Sequence, residues 1–259
     1  MVDKAIFEWP EGKRGAVSVT YDDGLSCHHE VVGPAWERHG LRVTFYPSFV
    51  WPNTDIMDNP DAWRQLAANG HELGNHSLFH ACRRDGATTY NLKDYTAPRW
   101  KEEMQVANFA LSLLDGRTER TFGNTCCNTT IGPDSQKESL EPLVAELFVA
   151  ARGDMTKEPV DVKTVNYNGL GTFAADTEML GVKHEEHSVE ATIRIITEAA
   201  DSGRWAIFMI HGVGQGTHGF FMEEEEHDEL VQHLAERRDE IWTAPVVEVA
   251  RYLKTGAVA

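Results

Sequence analysis

No stretch of this sequence is long and uncharged enough to cross a bilayer. The opening MVDKAIFEWPEGKRGAV holds no apolar core of signal-peptide length. The default expectation is therefore a cytoplasmic protein, or a secreted one if a leader has been removed. Internal repeats and low-complexity tracts are also missing, which excludes solenoids and fibrous architectures. Basic residues are scarce: 24 Lys and Arg face 41 Asp and Glu, a formal charge of -17. Such a field repels nucleic acid and anionic membranes, so neither is an expected partner. Cysteine is limited to Cys27, Cys82, Cys126 and Cys127, whose spacing fits no zinc ribbon and no thioredoxin-type pair. Adjacent Cys126 and Cys127 do not readily bond each other. What remains is ordinary for a globular protein, 41% hydrophobic and 25% charged over 259 residues, enough for a sizeable core.

Short β-rich runs alternate with amphipathic helices. Ala16 to Tyr21 reads as a strand ending at Asp22-Asp23-Gly24, with a helical stretch to Gly40 and a strand at Arg42 to Tyr46. Pro60 opens a short helix that Gly70 closes. A short strand at His71 to Gly74 leads into Asn75-His76. Trp100, Met104, Ala107, Leu111 and Leu114 then fall on one helical face, a core stripe. Further strands are expected near Thr121 to Gly123 and at Phe148 to Arg152, whereas Pro159 to Lys183 is loop-rich and yields no firm assignment. Ser188 caps a helix, Trp205 to Ile210 is a buried strand ending at His211-Gly212, and Ile241 to Thr243 precedes a last helix. The alternation implies a mainly parallel sheet flanked by helices, whose active sites lie at the carboxyl ends of the strands.

Three polar clusters follow predicted strands: Asp22-Asp23, His76 with His80, and His211. Adjacent carboxylates cost energy unless a cation neutralises them. The HSLFH spacing places His76 and His80 on one side of a helical turn, a geometry that grips a metal. Two imidazoles and one carboxylate are the ligand set of many catalytic zinc sites. Either cluster alone is weak evidence, since the chain has 12 histidines.

TYDDG, GHELGNHSLFH and FMIHGVG, in this order and setting, resemble the polysaccharide deacetylase family, also called the NodB homology domain or carbohydrate esterase family four. The resemblance runs from about Gly15 to Leu253. It implies an α/β fold, a distorted (β/α) barrel with fewer than eight complete strand–helix units, and one catalytic domain over residues 1–259. It implies that Asp22 is the base that activates water, that Asp23, His76 and His80 hold one divalent metal ion, and that His211 is the general acid. Zinc is the default ion, with cobalt, nickel or manganese as alternatives. The implied substrate is an acetylated glycan, as N-acetyl amide or O-acetyl ester. Two other readings stay open: hydrolysis of a small cyclic amide or imide, and glycan binding without catalysis. Neither the oligomeric state nor the particular substrate is legible.

The sequence also departs from the family pattern. Where members carry a proline-containing oxyanion loop, this chain has Phe122-Gly123-Asn124-Thr125-Cys126-Cys127. The Cys126 N–H can still serve as an oxyanion donor. Arg152 is the candidate partner of the catalytic aspartate or contact to substrate, and Asp154 or Asp176 could orient His211. A Cys82–Cys126 disulfide is an open possibility, because both would lie on neighbouring rim loops. Trp51, Trp63 and Tyr90 are candidates for a sugar-stacking platform. His71 reads as structural, His28 and His29 as loop residues near the rim, and His184, His187, His218, His227 and His233 as surface.

Overall fold

The computed structural model describes residues 7–86 and 89–255. Met1–Ile6, part of the stretch read above for an export signal, lie outside them. Eight parallel strands form the main sheet: β1 (Gly15–Asp23), β2 (Thr44–Pro47), β3 (Glu72–Leu73), β4 (Phe122–Gly123), β5 (Ala151–Met155), β6 (Leu170–Ala174), β7 (Trp205–Ile210) and β8 (Ile241–Thr243). Their spatial order is β3-β2-β1-β7-β6-β5-β4. The two edges meet: Asn75, just past β3, bridges Phe122 in β4, donating to Thr121 O and accepting from Gly123 N at 2.9 Å each. The sheet is thus a curled, distorted barrel. β8 pairs with Gly15–Val17 at the start of β1, while β2 pairs with Thr20–Asp23 at its end.

Alternation along β1 explains the layering. Val17, Val19 and Tyr21 pack into the large core with Trp36, Trp63, Leu111 and Leu230 from the surrounding helices. Ser18, Thr20 and Asp22, also buried, turn the other way into the curl of the sheet. Their polar groups are paired there: Ser18 Oγ donates to Ala244 O at 2.7 Å and Thr20 Oγ1 to Phe208 O at 2.8 Å.

The helices are α1 (Gly33–Glu37), α2 (Pro60–Ala68), α3 (Ala97–Asp115), α4 (Glu141–Leu147), α5 (Val189–Ser202), α6 (Glu224–Glu236) and α7 (Val246–Thr255). Their boundaries follow the sequence signals. Thr96 and Ser188 cap α3 and α5 with their side chains, and Gly116 and Gly203 end them in the left-handed conformation. The expected stripe of α3 is buried at Trp100, Met104, Ala107 and Leu111.

The structure resolves one unassigned segment and corrects one expectation. Pro159 to Lys183, loop-rich in sequence, contributes β6 to the barrel. It also forms a hairpin, Glu178–Met179 with Val182–Lys183, turning at Leu180-Gly181 with φ of 53° and 81°. This hairpin pairs with Phe220–Met222, which pairs with Gly212–Val213, giving a four-stranded cap just past β7. The correction concerns His76 to His80, which is not a helical turn. Ser77 and His80 have φ of 62° and 48°, outside helical space. The Asn75 side chain accepts from Ser77 N at 2.7 Å, and Glu103 of α3 accepts from Leu78 N and Phe79 N at 3.2 Å each. Those side chains take the backbone donors that a helix would have used.

Candidate metal centre and its surroundings

The ends of β1, β3, β6 and β7 bring Asp22, Asp23, His76, His80, Asp176 and His211 to the rim of one cavity of about 520 Å³. One atom from each of Asp23, His76 and His80 lies within 4.8 Å of the others. His80 Nε2 is 3.0 Å and His76 Nε2 3.5 Å from Asp23 Oδ1.

This set fits a bound cation. His76 Nδ1 lies 2.7 Å from Gly123 O, a contact that needs the ring proton on Nδ1 and leaves the neutral ring's Nε2 lone pair facing the carboxylate. Asp23 Oδ1 is buried and has no hydrogen-bond partner, a costly state that a cation between the three groups relieves. Burial alone would raise the Asp23 carboxyl, but the two imidazoles hold it well below the usual range. Burial pushes His80 the opposite way, below the ordinary imidazole value, which favours its neutral, ligating form.

Asp22 sits beside this group, with Oδ2 3.6 Å from His76 Nε2. Arg152, fully buried, grips both of its oxygens: one nitrogen donates to Oδ1 at 2.8 Å and to Thr20 Oγ1 at 2.8 Å, and the other pairs with Oδ2. Burial would raise the Asp22 carboxyl; Arg152 outweighs it and keeps the group ionised, below its usual pKa. The guanidinium lies over the Tyr46 ring, 5.0 Å from its centroid. Gly74 and Gly123 leave room for that ring, since a Cβ at Gly74 would overlap it.

Asp176, two residues past β6, engages His211 twice, accepting from the backbone N and from Nδ1 at 2.8 Å each. Burial would lower the His211 pKa, but the charge and hydrogen bond of Asp176, together with the Asp23 and Asp22 charges, raise it to about 9. The proton on Nδ1 is thus fixed toward Asp176, and Nε2 is the atom available to a reacting group. Asp154, the other candidate orienter, is exposed.

Cys126 and Cys127 line the same cavity with φ of 51° and 52°. Asp23, His80 and Leu180 share this left-handed conformation and also line it. Such backbone is stored mainly where the surroundings over-determine it, as at functional sites. Cys82 and Cys126 are joined by a disulfide, tying the His80 segment to the loop after β4. Cys27 and Cys127 are free thiols.

Several histidines lie elsewhere than the sequence suggested. His218 is in the site, its ring 5.1 Å from that of His211 at 12°, with Nε2 3.5 Å from Asp23 Oδ2. His187 lines the cavity. His227 is buried against the Tyr21 hydroxyl at 2.8 Å, and His28 is buried with Nε2 2.8 Å from His211 O. His71 is buried, as expected of a structural residue. Trp63 is in the core, so the expected aromatic platform is not one surface. Trp51 stacks on His80 at 4.1 Å, and Tyr90 stacks on Phe79 at 4.1 Å.

Fold and site together define a curled parallel (β/α) barrel with an imidazole–carboxylate cluster at the carboxyl ends of its strands. The sequence model described as polysaccharide deacetylase matches residues 10–124. A chitin deacetylase of Colletotrichum lindemuthianum is 33% identical over 67 residues, covering 26% of this chain and 27% of that protein. A gellan lyase of a Bacillus species is 22% identical over 268 aligned positions, covering 96% of this chain but 10% of that protein. The chain thus spans a tenth to about a quarter of the length of these relatives. Among solved structures, peptidoglycan deacetylase PdaC from Bacillus subtilis superposes with a TM-score of 0.54 at 13% identity, over 95% of this chain and 94% of that one. A family 4 acetyl xylan esterase from Clostridium thermocellum, in complex with a cobalt ion, gives 0.52 at 13%, over 93% and 92%. The resemblance to the polysaccharide deacetylase family is borne out, and the fold is of that type. Among the described residues, no helix is long and apolar enough to cross a membrane.

Proposed function

We propose that this chain is a metal-dependent hydrolase that removes acetyl groups, N- or O-linked, from a glycan-derived substrate. The observation that carries this reading is the buried Asp23–His76–His80 cluster, flanked by an Arg152-held carboxylate and an Asp176-held imidazole. The matched family and the names of the relatives supply the acetyl group and the glycan.

Asp23, His76 and His80 would hold the ion. A divalent ion there supplies Lewis acidity, lowering the pKa of water toward neutrality and polarising the acyl carbonyl. Asp22, kept ionised by Arg152, accepts the proton of the attacking water as its oxygen bonds the acyl carbon. The Cys126 backbone is the proposed donor to the developing oxyanion. As the carbon–nitrogen or carbon–oxygen bond breaks, His211 Nε2 delivers a proton to the departing amine or alcohol. The products are acetate and the free amine or alcohol. Arg152, buried behind Asp22, acts in this scheme on the base and not on substrate.

The test is acetate release from chitin oligomers, peptidoglycan fragments and acetylated xylan, using metal-free protein reloaded with zinc, cobalt, nickel or manganese. Release that stops with chelator and returns with one of these ions is expected. Asp22→Asn should lower kcat about 10²–10⁴-fold while the protein still gains thermal stability on adding the ion. Full turnover by that variant would refute the base assignment, and turnover unaffected by chelation would refute the metal. Ring opening of a hydantoin, a small cyclic imide, without acetate release from any acetylated compound, would favour the alternative reading.

A further inference from the structure

The wall beside His211 is apolar. Met155, Ala174 and Met209 come from the ends of the adjacent strands β5, β6 and β7, and Met179, Leu180 and Phe220 come from the cap above them. Phe220 lies edge-on to His211, with ring centroids 5.4 Å apart. Among the described residues lining the cavity, none carries a hydroxyl or amide side chain; outside the metal cluster and the Asp22, Asp176 and His211 groups, the polar lining is Arg84, His187 and His218. Trp51, the one indole there, is already engaged by the His80 ring at 4.1 Å and by the Arg84 guanidinium at 5.3 Å. The wall continues outward, since Leu180 at the hairpin tip is 79% exposed and Val182 58%.

A bare sugar ring against this wall would lose its hydroxyls' hydrogen bonds to water and find no replacements, which is unfavourable. An alkyl or aryl group gains there, and thioether side chains adapt to irregular apolar shapes. His211 Nε2 faces the cavity from the foot of this wall, so the part of the substrate that receives its proton lies against it.

We infer that the leaving amine or alcohol carries an apolar substituent, alkyl or aryl, held by Met179, Leu180, Met209 and Phe220. This rests on the hydrolytic reading above. It narrows the substrate from an unadorned glycan chain to an acetylated compound, such as an acetylated sugar with an apolar aglycone. The reaction is unchanged: water supplies the hydroxyl of acetate, and the apolar amine or alcohol departs with the proton from His211.

The experiment compares N-acetylglucosamine carrying methyl, phenyl or octyl aglycones with chitin oligomers, measuring binding by calorimetry and acetate release by the metal-loaded protein. Octyl and phenyl compounds should bind at least about tenfold more tightly than methyl, consistent with burial of a few methylenes. Leu180→Ser and Met179→Ser, both on the cap hairpin, should remove most of that advantage, bringing the octyl-to-methyl affinity ratio toward one. Equal binding of the three aglycones would overturn the inference, as would an advantage untouched by both substitutions. Turnover that rises with oligomer length and ignores the aglycone would overturn it while the hydrolase reading stands. Selective apolar binding without acetate release under any ion would overturn the hydrolase reading and leave the apolar site standing.

Discussion

Arg152 and Asp22 form an ion pair whose side chains are only 0% and 2% exposed. Removing one partner of such a pair strands the other, which costs about 3–5 kcal/mol. Arg152→Met should therefore lower the urea unfolding free energy by about that amount; an unchanged midpoint would mean that Asp22 finds another partner. His211 makes a different prediction. Its raised pKa, about 9, comes from Asp176, with Asp23 and Asp22 adding to it, together outweighing burial. A general acid must be protonated, so activity is retained below the folded-state pKa and lost as pH rises through it. In Asp176→Asn the ring keeps a neutral partner but loses the charge, and the alkaline limb of kcat should move to lower pH; a limb that stays put would remove His211 from the acid role. At this scale the sequence was partly legible. Asp22, Asp23, His76, His80 and His211 each follow a strand or a recognisable motif, whereas His218 follows neither. It reaches the site because Gly212–Val213 and Phe220–Met222 pair and fold the intervening loop back over His211, an irregular turn that leaves no local periodicity.

The elements read best were those with strong local signals. β7, a run of six apolar residues, was legible to the residue, and α3 was legible by its apolar stripe. β6 was not, because Leu170-Gly171-Thr172-Phe173-Ala174 is short, contains glycine and lacks a marked apolar alternation. It is a strand because β5 and β7 hold it from both sides. Losing β6 from the reading also hid the reason for Asp176, which stands two residues beyond it. The HSLFH segment failed differently: His76 and His80 do come together with Asp23, but Asn75 and Glu103 shape the backbone that a helix was expected to shape. The disulfide between the His80 segment and the loop after β4 spans 44 residues of sequence. Chain-entropy reasoning gives such a link up to about 4 kcal/mol. A Cys82→Ala, Cys126→Ala double variant should unfold at lower urea by about 2–4 kcal/mol, with no thiol reactivity left beyond Cys27 and Cys127. Equal stability would show that the two segments are held by their other contacts.

At the scale of the molecule, buried neutral histidines make stability depend on pH. Burial lowers His28 to about 4 and His227 to about 3, against about 6.5 for an exposed ring. Above 6.5 neither the folded nor the unfolded chain protonates these sites, and no stability is lost. As pH falls below 6.5 the unfolded chain takes up protons that the native one refuses, so stability falls until the folded pKa is reached. At pH 5 the loss is about 2 kcal/mol for each ring. Urea titrations at pH 7 and pH 5 should show it, and a flat profile would mean that both rings are protonated in the native state.

The split edge of β1 sets an order of assembly. Its first three residues pair with Ile241–Thr243 and its last ones with β2, so one strand joins segments far apart in the sequence. During synthesis, β1 emerges before the other strands, and Gly15–Val17 wait unpartnered on that edge until Ile241–Thr243 have been made. Contacts so distant in sequence slow folding and prolong the exposure of an unpaired, apolar strand edge. A nascent chain stalled before residue 241 would thus be a better client for chaperones than for its own substrate.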